Sequence, residues 1–317
     1  MDPAVAVDLG ATNTRAAIVD ENGTIRKKIG RKTPSRDADP GVLISFLADL
    51  ITEVSRYQSP GAIAGIGLSV AGPVDVLQGI LLNPPNLPFR DVPLTGPLSR
   101  MFSLPVRMVN DCHAGILGEM QYGRGRDRDH AVYITISTGI GGGVVSGGRI
   151  LLGRAGNAAE IGHLHVDDVY NLTCSCGHSG HWEGYASGRY IPRFFAAWCH
   201  SHGLECRETG NAEDIFISAR EGDENLIRFL GELAAINARG ISDVIVAYDP
   251  ELVILDGAVM LANADLLLPL MVESVDRYLA LPDIALTRLD GDAPLLGAGI
   301  IARGYFTQYG DFESLVR

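Results

Sequence analysis

The stretch from Glu160 to Gly188, EIGHLHVDDVYNLTCSCGHSGHWEGYASG, constrains the fold of this chain more than any other. His163, Cys174, Cys176 and His181 form an H-x10-C-x-C-x4-H set. Two imidazole nitrogens and two thiolates suit one tetrahedral cation, the ligand chemistry that zinc prefers. A cation held there ties the segment into a compact loop and brings Glu160 and Glu183, which bracket the set, to one side of a pocket. Gly162, Gly177, Gly180 and Gly184 supply the tight turns that such a loop needs. The competing reading is an ordinary loop that holds histidines and cysteines, since C-x-C is not among the commonest zinc spacings. His165, His178 and Cys199 are substitute ligands.

At 317 residues the chain exceeds the size at which a single core keeps growing, so two domains are expected. Hydrophobic residues at 46% and charged residues at 20% describe a soluble globular protein. A net charge of -12 opposes nucleic-acid binding over a broad surface, so an anionic ligand needs a local positive site. The five cysteines, Cys112, Cys174, Cys176, Cys199 and Cys206, lack disulfide-framework spacing and favour a reducing compartment. No basic leader follows Met1, and no 18 apolar residues run uninterrupted. A cytoplasmic protein with no membrane partner is the expectation.

Ala4 to Leu9 reads as a buried strand, turned back by Gly10-Ala11-Thr12-Asn13-Thr14 into a second strand, with a third from about Thr24 to Ile29. A hairpin meander excludes a Rossmann-type nucleotide site at this point. The turn DLGATNTR places Asp8 at a strand end, where backbone N–H groups can face a phosphate, although a plain β-turn uses the same residues. Pro40 to Tyr57 is an amphipathic helix, and Ile63 to Val70 a strand that runs into Ala71-Gly72-Pro73. In NPPNLPFR, Asn83 and Asn86 either present amides to a hydroxyl-rich ligand or simply make turns. A short strand, Val106 to Val109, stops at Asn110-Asp111 before a helix from Cys112 to Gln121. That is where open α/β sheets put their chemistry, while helix capping by Asp111 is the competing use.

After a basic, flexible run from Gly123 to Asp129, the strand Ala131 to Ser137 enters Thr138-Gly139-Ile140-Gly141-Gly142-Gly143 and returns, so the second half opens as the first did. Two such turns can clamp a phosphate chain, although neither matches the usual phosphate-loop signatures. Helices follow at about Arg189 to His202, Ala212 to Arg220, Asn225 to Val246 and Ala262 to Leu279, with strands Glu251 to Leu255 and Ile284 to Leu289. The turn Asp256-Gly257-Ala258-Val259 offers a resting place for a nucleotide base or ribose. Gly297 and Gly299, in a last helix of small residues, permit close backbone approach or hinge motion.

With DLGATNTR, Asn110-Asp111, STGIGGG, EIGH and C-x-C-G-x2-G-x-x-E in one order, the chain resembles the ROK family of sugar kinases and related repressors over nearly its whole length. The resemblance implies an α/β, two-domain actin-like ATPase (ribonuclease H-like) fold, with mixed sheets flanked by helices and an interdomain active-site cleft. It further implies a small N-terminal domain of residues 1–118 with 299–317, and a large domain of residues 119–298 that carries the zinc loop.

The implied reaction is ATP-dependent phosphorylation of a hexose, first glucose to glucose 6-phosphate. N-acetylglucosamine, N-acetylmannosamine, fructose or allose are alternatives. Asp111 is then the general base, and Asn110, Asp111, Glu160, His163, Glu183, Gly72 and Asn86 bind the sugar. Asp8, Gly10, Thr12, Asn13 and Thr14 belong to one phosphate loop and Thr138, Gly139 and Gly141 to the other, with Asp8 near Mg2+ and Gly257 by the adenine. A structural Zn2+ is expected on His163, Cys174, Cys176 and His181, the last standing where the family usually has Cys. Kinship suggests a homodimer. A sugar-sensing regulator of the same family is the rival, disfavoured by the three residues before Ala4 and the negative charge.

Overall fold

The computed structural model describes residues 2–35, 39–58, 62–205, 209–306 and 310–311. It is a mixed α/β architecture built on two five-stranded sheets. In the first, the strands run in the order Ile25–Lys32, Asn13–Val19, Ala4–Leu9, Ile66–Val70 and Val106–Asn110. The first three in sequence form the expected antiparallel meander. Ala4–Leu9, Ile66–Val70 and Val106–Asn110 then run parallel. Every residue of Ala4–Leu9 is buried, as a strand covered on both faces requires. At the edge, Ile25–Lys32 alternates toward solvent and carries Lys27, Lys28, Arg31 and Lys32, which discourage further pairing.

The helix Pro40–Ser55 starts at an Asp39 cap, whose carboxylate accepts from Gly41 N–H at 2.7 Å, and buries Leu43, Leu47, Leu50, Ile51 and Val54. The helix Ala293–Ala302 packs on the first sheet and on the helix Asp111–Tyr122. A Cβ at Gly297 would lie 1.8 Å from Ala114 O, and one at Gly118 would lie 2.3 Å from Ala293 O. The glycines therefore serve close helix approach: each backbone fills the space a side chain would need.

The second sheet has the order Arg149–Ile150, Ile140–Ser146, Ala131–Ile136, Leu252–Asp256 and Asp283–Leu286, the last two parallel. Ile191–Ser201, Ala212–Arg220 and Glu224–Tyr248 are helices close to their expected bounds. The long helix holds the metal-loop segment from behind: Trp182 Nε1 donates to Asn237 Oδ1 at 2.9 Å, and the indole lies against Gly240.

The expected single helix Ala262 to Leu279 is instead Ala258–Ala262 followed by Ala264–Ser274. Asn263 makes the break: its Nδ2 donates to Val259 O at 2.9 Å, and its Oδ1 accepts from Arg220 at 3.0 Å. The helix Thr95–Phe102 and the small sheet of Val74–Asp75, Ile80–Leu81 and Val92–Pro93 have no counterpart in the sequence reading. In the Gly123 to Asp129 run, the Glu119 carboxylate accepts from Arg124 N–H at 2.9 Å.

By contact density the chain forms two compact units. One comprises Met1–Tyr133, Gly143–Ala159 and Thr287–Arg317, and the other Ile134–Gly142 and Glu160–Leu286. Among the described residues no helix is long and apolar enough to cross a membrane.

Two stability predictions follow from the first unit. Gly297→Ala is expected to destabilise it by about 1–3 kcal/mol through overpacking, read as a lower urea midpoint. His113 is buried, and its Nε2 donates to Ala158 O at 3.1 Å. Burial drops its pKa from 6.5 to about 4. The unfolded chain then takes up a proton between those values that the folded chain refuses. Stability is expected to fall by roughly 3 kcal/mol as pH drops from 6.5 to 4 and to be indifferent to this group above 6.5. Urea titrations of wild type and His113→Gln at pH 7 and 4.5 check the slope, which the variant should lack in part.

Candidate active site and metal loop

In the first unit, the register of the parallel strands sets out the candidate residues. Leu9 is opposite Val70, and Val70 is opposite Asn110, so three strand ends finish along one edge. Asp8, one residue before that edge, is buried. Its Oδ1 accepts from Ser69 Oγ at 2.9 Å, and its Oδ2 accepts from Arg15 Nη2 at 2.7 Å and Nε at 3.1 Å. Arg15 also donates to Asp292 at 2.8 Å and to Gly291 O at 2.8 Å. Burial opposes the guanidinium charge, but Asp8 and then Asp292 hold its pKa above the usual value. A carboxylate gripped on both oxygens keeps one orientation, which a ligand site needs.

The turn that follows is a narrow hairpin: Gly10 N–H donates to Asn13 O at 3.1 Å, and Thr33 Oγ donates to Gly10 O at 2.8 Å. Thr12 and Asn13 are exposed. Thr14 is fully buried, and its hydroxyl shares a 2.8 Å hydrogen bond with Thr33, so it faces the interior.

At the next strand ends, a Cβ on Gly72 would lie 2.6 Å from Asn110 Nδ2, so these two candidates touch. Asn110 is the N-cap of the helix Asp111–Tyr122, with its Oδ1 accepting from Cys112 N–H at 2.8 Å. Asp111 is the first helical residue, half-buried, with Oδ1 2.9 Å from the same N–H. The competing use of Asp111 as the cap therefore falls to its neighbour. Asn86 lies in a turn before Phe89, half-buried.

In the second unit, Ser137 N–H donates to Gly139 O at 2.9 Å, which shapes the turn that carries Thr138 and Gly141. Thr138 is exposed. Gly257, at φ +98°, packs on the strand end before the turn: a Cβ there would lie 2.4 Å from Ile136 O. Glu183 opens the helix Glu183–Ala186 and is buried. Its Oε2 accepts from Ile140 N–H at 3.0 Å and its Oε1 from Ser175 Oγ at 2.7 Å. Desolvation raises the Glu160 pKa, His163 opposes the rise, and the Glu183 charge adds to it. Glu160, His163 and Glu183 thus share one electrostatic environment.

His163, Cys174, Cys176 and His181 come together, their ligand atoms all within 4.8 Å of one another. His163 Nδ1 is 3.7 Å from Cys174 Sγ, and His181 Nδ1 is 3.2 Å from Cys176 Sγ. Tetrahedral bonds of about 2.0–2.3 Å put neighbouring ligand atoms roughly 3.5 Å apart, so the donor set fits one such ion. Desolvation, then the neighbouring imidazoles of His163, His178 and His165, lowers the His181 pKa and keeps its lone pair for a cation. Of the substitute ligands, His165 Nε2 pairs with Asp168 at 2.8 Å and Cys199 is buried in the helix Ile191–Ser201, while the His178 ring lies beside His181, with centroids 5.8 Å apart.

Arg15, Ser69 and Ser175 support these groups and were absent from the sequence reading. Arg15 was within reach, because a hairpin closing between Gly10 and Asn13 sets it opposite Asp8. Ser69 and Ser175 carry no local signal.

Two five-stranded sheets of like strand order, each entered by a hairpin, define an α/β fold of the actin-like, ribonuclease H-like kind. Comparison with known proteins narrows the class. The model of the ROK family matches residues 4–304. The glucokinase of Pyrobaculum calidifontis is 32% identical over 300 residues, 94% of each chain. The N-acetylmannosamine kinase of Escherichia coli O157:H7 is 34% identical over 307 residues, 95% of this chain and 98% of that one. The ROK family glucokinase of Streptomyces griseus, solved with glucose and AMPPNP, superposes with a TM-score of 0.80 at 29% identity. That match covers 95% of this chain and 99% of the other. The chain belongs to the ROK family.

Elemental analysis of the purified protein is expected to find about one metal ion per chain, lost in the double variant Cys174→Ser/Cys176→Ser. A wild-type protein that is folded and metal-free would refute the assignment of these four ligands.

Proposed function

We propose that this chain is an ATP-dependent hexose kinase that converts glucose to glucose 6-phosphate, with Asp111 as general base. The observation that carries the reading is the division of labour at the helix start. Asn110 takes the cap, which leaves the Asp111 carboxylate at the carboxyl end of a parallel strand.

A sugar hydroxyl is a poor nucleophile near neutral pH. Asp111 accepts its proton as the oxygen attacks the γ-phosphorus of ATP in line, and ADP leaves. Asn110, Glu160, His163 and Glu183 hold sugar hydroxyls, with Gly72 and Asn86 as further contacts. With Nδ1 of His163 on the cysteine side, Nε2 remains for the sugar. The two Gly/Thr turns, 10–14 and 138–141, bind the phosphates through backbone N–H groups, and Gly257 supports the adenine.

Asp8, a single oriented carboxylate, suits magnesium, which takes few protein ligands and, when bound with ATP, offsets phosphate charge. The donor set His163, Cys174, Cys176 and His181 suits zinc, and four protein ligands would make such a site structural rather than catalytic. The cysteine spacing, which lacks a disulfide framework, supports a reducing, cytoplasmic location.

N-acetylmannosamine is the second substrate reading, supported by the 34% identity to the E. coli kinase over nearly the whole chain. A coupled assay of ADP release over glucose, N-acetylmannosamine, N-acetylglucosamine, fructose and allose decides between them. The highest kcat/KM is expected for glucose. Asp111→Ala is expected to lower kcat by about two or more orders of magnitude with little change in sugar KM. An unaltered kcat would remove Asp111 from the base role.

A further inference from the structure

Glu183 has a second task that sugar binding does not explain. Its two carboxylate oxygens are divided between two parts of the second unit. Oε1 accepts from Ser175 Oγ at 2.7 Å and lies 3.7 Å from Cys174 Sγ. Ser175 stands between the two cysteines of the metal set, so this oxygen belongs to the metal loop. Oε2 accepts the Ile140 N–H at 3.0 Å, within the turn 138–141. The Ile140 bond is buried, where water does not compete and a charged acceptor counts for most, and the Ser175 bond is part-buried.

The same segment also bonds the residue before the turn and packs closely against the turn itself. Gly188 N–H donates to Ser137 O at 2.8 Å. Gly162 lies so close that a Cβ there would be 2.1 Å from Ile140 O. The turn is thus held on its N–H and carbonyl sides by residues that flank the metal ligands, with Glu183 as the polar link.

We propose that Glu183 is a positioning residue for the turn 138–141, one that carries the order of the metal loop to the Ile140 amide and so to nucleotide affinity. The nucleotide half rests on the reading of this turn as a phosphate loop. Metal occupancy then acts on ATP binding as well as on the sugar side, although none of the four ligands belongs to the turn.

The test is amide hydrogen exchange at Ile140, with calorimetric titration of AMPPNP and of glucose, on metal-loaded wild type, Glu183→Ala, Glu183→Gln and Ser175→Ala. Glu183→Ala is expected to speed Ile140 exchange and weaken AMPPNP binding by about tenfold each, the scale of one charge-assisted hydrogen bond. In Glu183→Gln the amide oxygen still accepts from Ile140 while the NH2 donates to Ser175. Exchange and AMPPNP affinity should therefore stay within about threefold of wild type, although glucose binds more weakly.

Ser175→Ala, which keeps every metal ligand, should give an intermediate acceleration and decides the matter if Glu183→Ala does not fold. Removing the metal by chelation should likewise speed Ile140 exchange. Unchanged exchange at Ile140 in both Glu183→Ala and Ser175→Ala would overturn the proposal. Faster exchange with unaltered AMPPNP affinity would instead overturn the assignment of the turn to nucleotide, which separates the failure of that reading from the failure of the link.

Discussion

The pairing of Leu9 with Val70 and of Val70 with Asn110 is the constraint from which the first unit takes its chemistry. Parallel strands start from one side and end on the other, so their carboxyl ends collect side chains that lie far apart in sequence. A slip of one residue in either ladder would turn Asp8 or Asn110 to the opposite face. Ala4–Leu9 and Ile66–Val70 are buried throughout, so a slip would also disrupt the close packing on both faces of the sheet. The helix Ala293–Ala302 adds to this packing through Gly67, where a Cβ would lie 1.8 Å from Ala298 O. The edge is thus polar and ordered because what lies behind it is apolar and tightly packed.

The second unit reaches order by a different route. Between Glu160 and Gly188 there is little regular structure beyond a single 3-10 turn and the short helix Glu183–Ala186, so its own core cannot fix the loop. Short bridges, His165 with His181 and Thr173 with Ser179, bring the strands of the loop together. A metal ion on the four clustered residues His163, Cys174, Cys176 and His181 would supply the cross-link that apolar burial supplies elsewhere. Trp182 anchors the end of the segment on the long helix, and Glu183, next in sequence, inherits that fixed position. A carboxylate so placed can serve a polar site without the entropy cost of a mobile side chain.

Much of this was legible in the sequence, where one residue or one period decides the outcome. The buried strand Ala4–Leu9, the amphipathic stripe of Pro40–Ser55 and the meander at the start follow from hydrophobic period and turn residues. The metal set follows from ligand chemistry and spacing. Other features were open. Gly297 fitted hinge or packing until its distance to Ala114 O settled on packing. Asp111 fitted cap or catalytic edge, and only the hydrogen bond from Cys112 N–H to Asn110 gave the cap to its neighbour. The break at Asn263 depends on Arg220, a partner more than forty residues away, which no local window contains.

By itself, then, the chain's residue order determined which segments must be strands or helices and which side chains can act as ligand or base. Those properties depend on period, propensity and chemical type within a few positions. Tertiary structure alone decided the orientation of those groups: Ser69 on Asp8, Thr33 on Thr14, and Ser175 and the Ile140 amide on Glu183. The reason is that a buried polar atom must find a partner wherever the packed backbone places one, and that placement is a property of the whole fold.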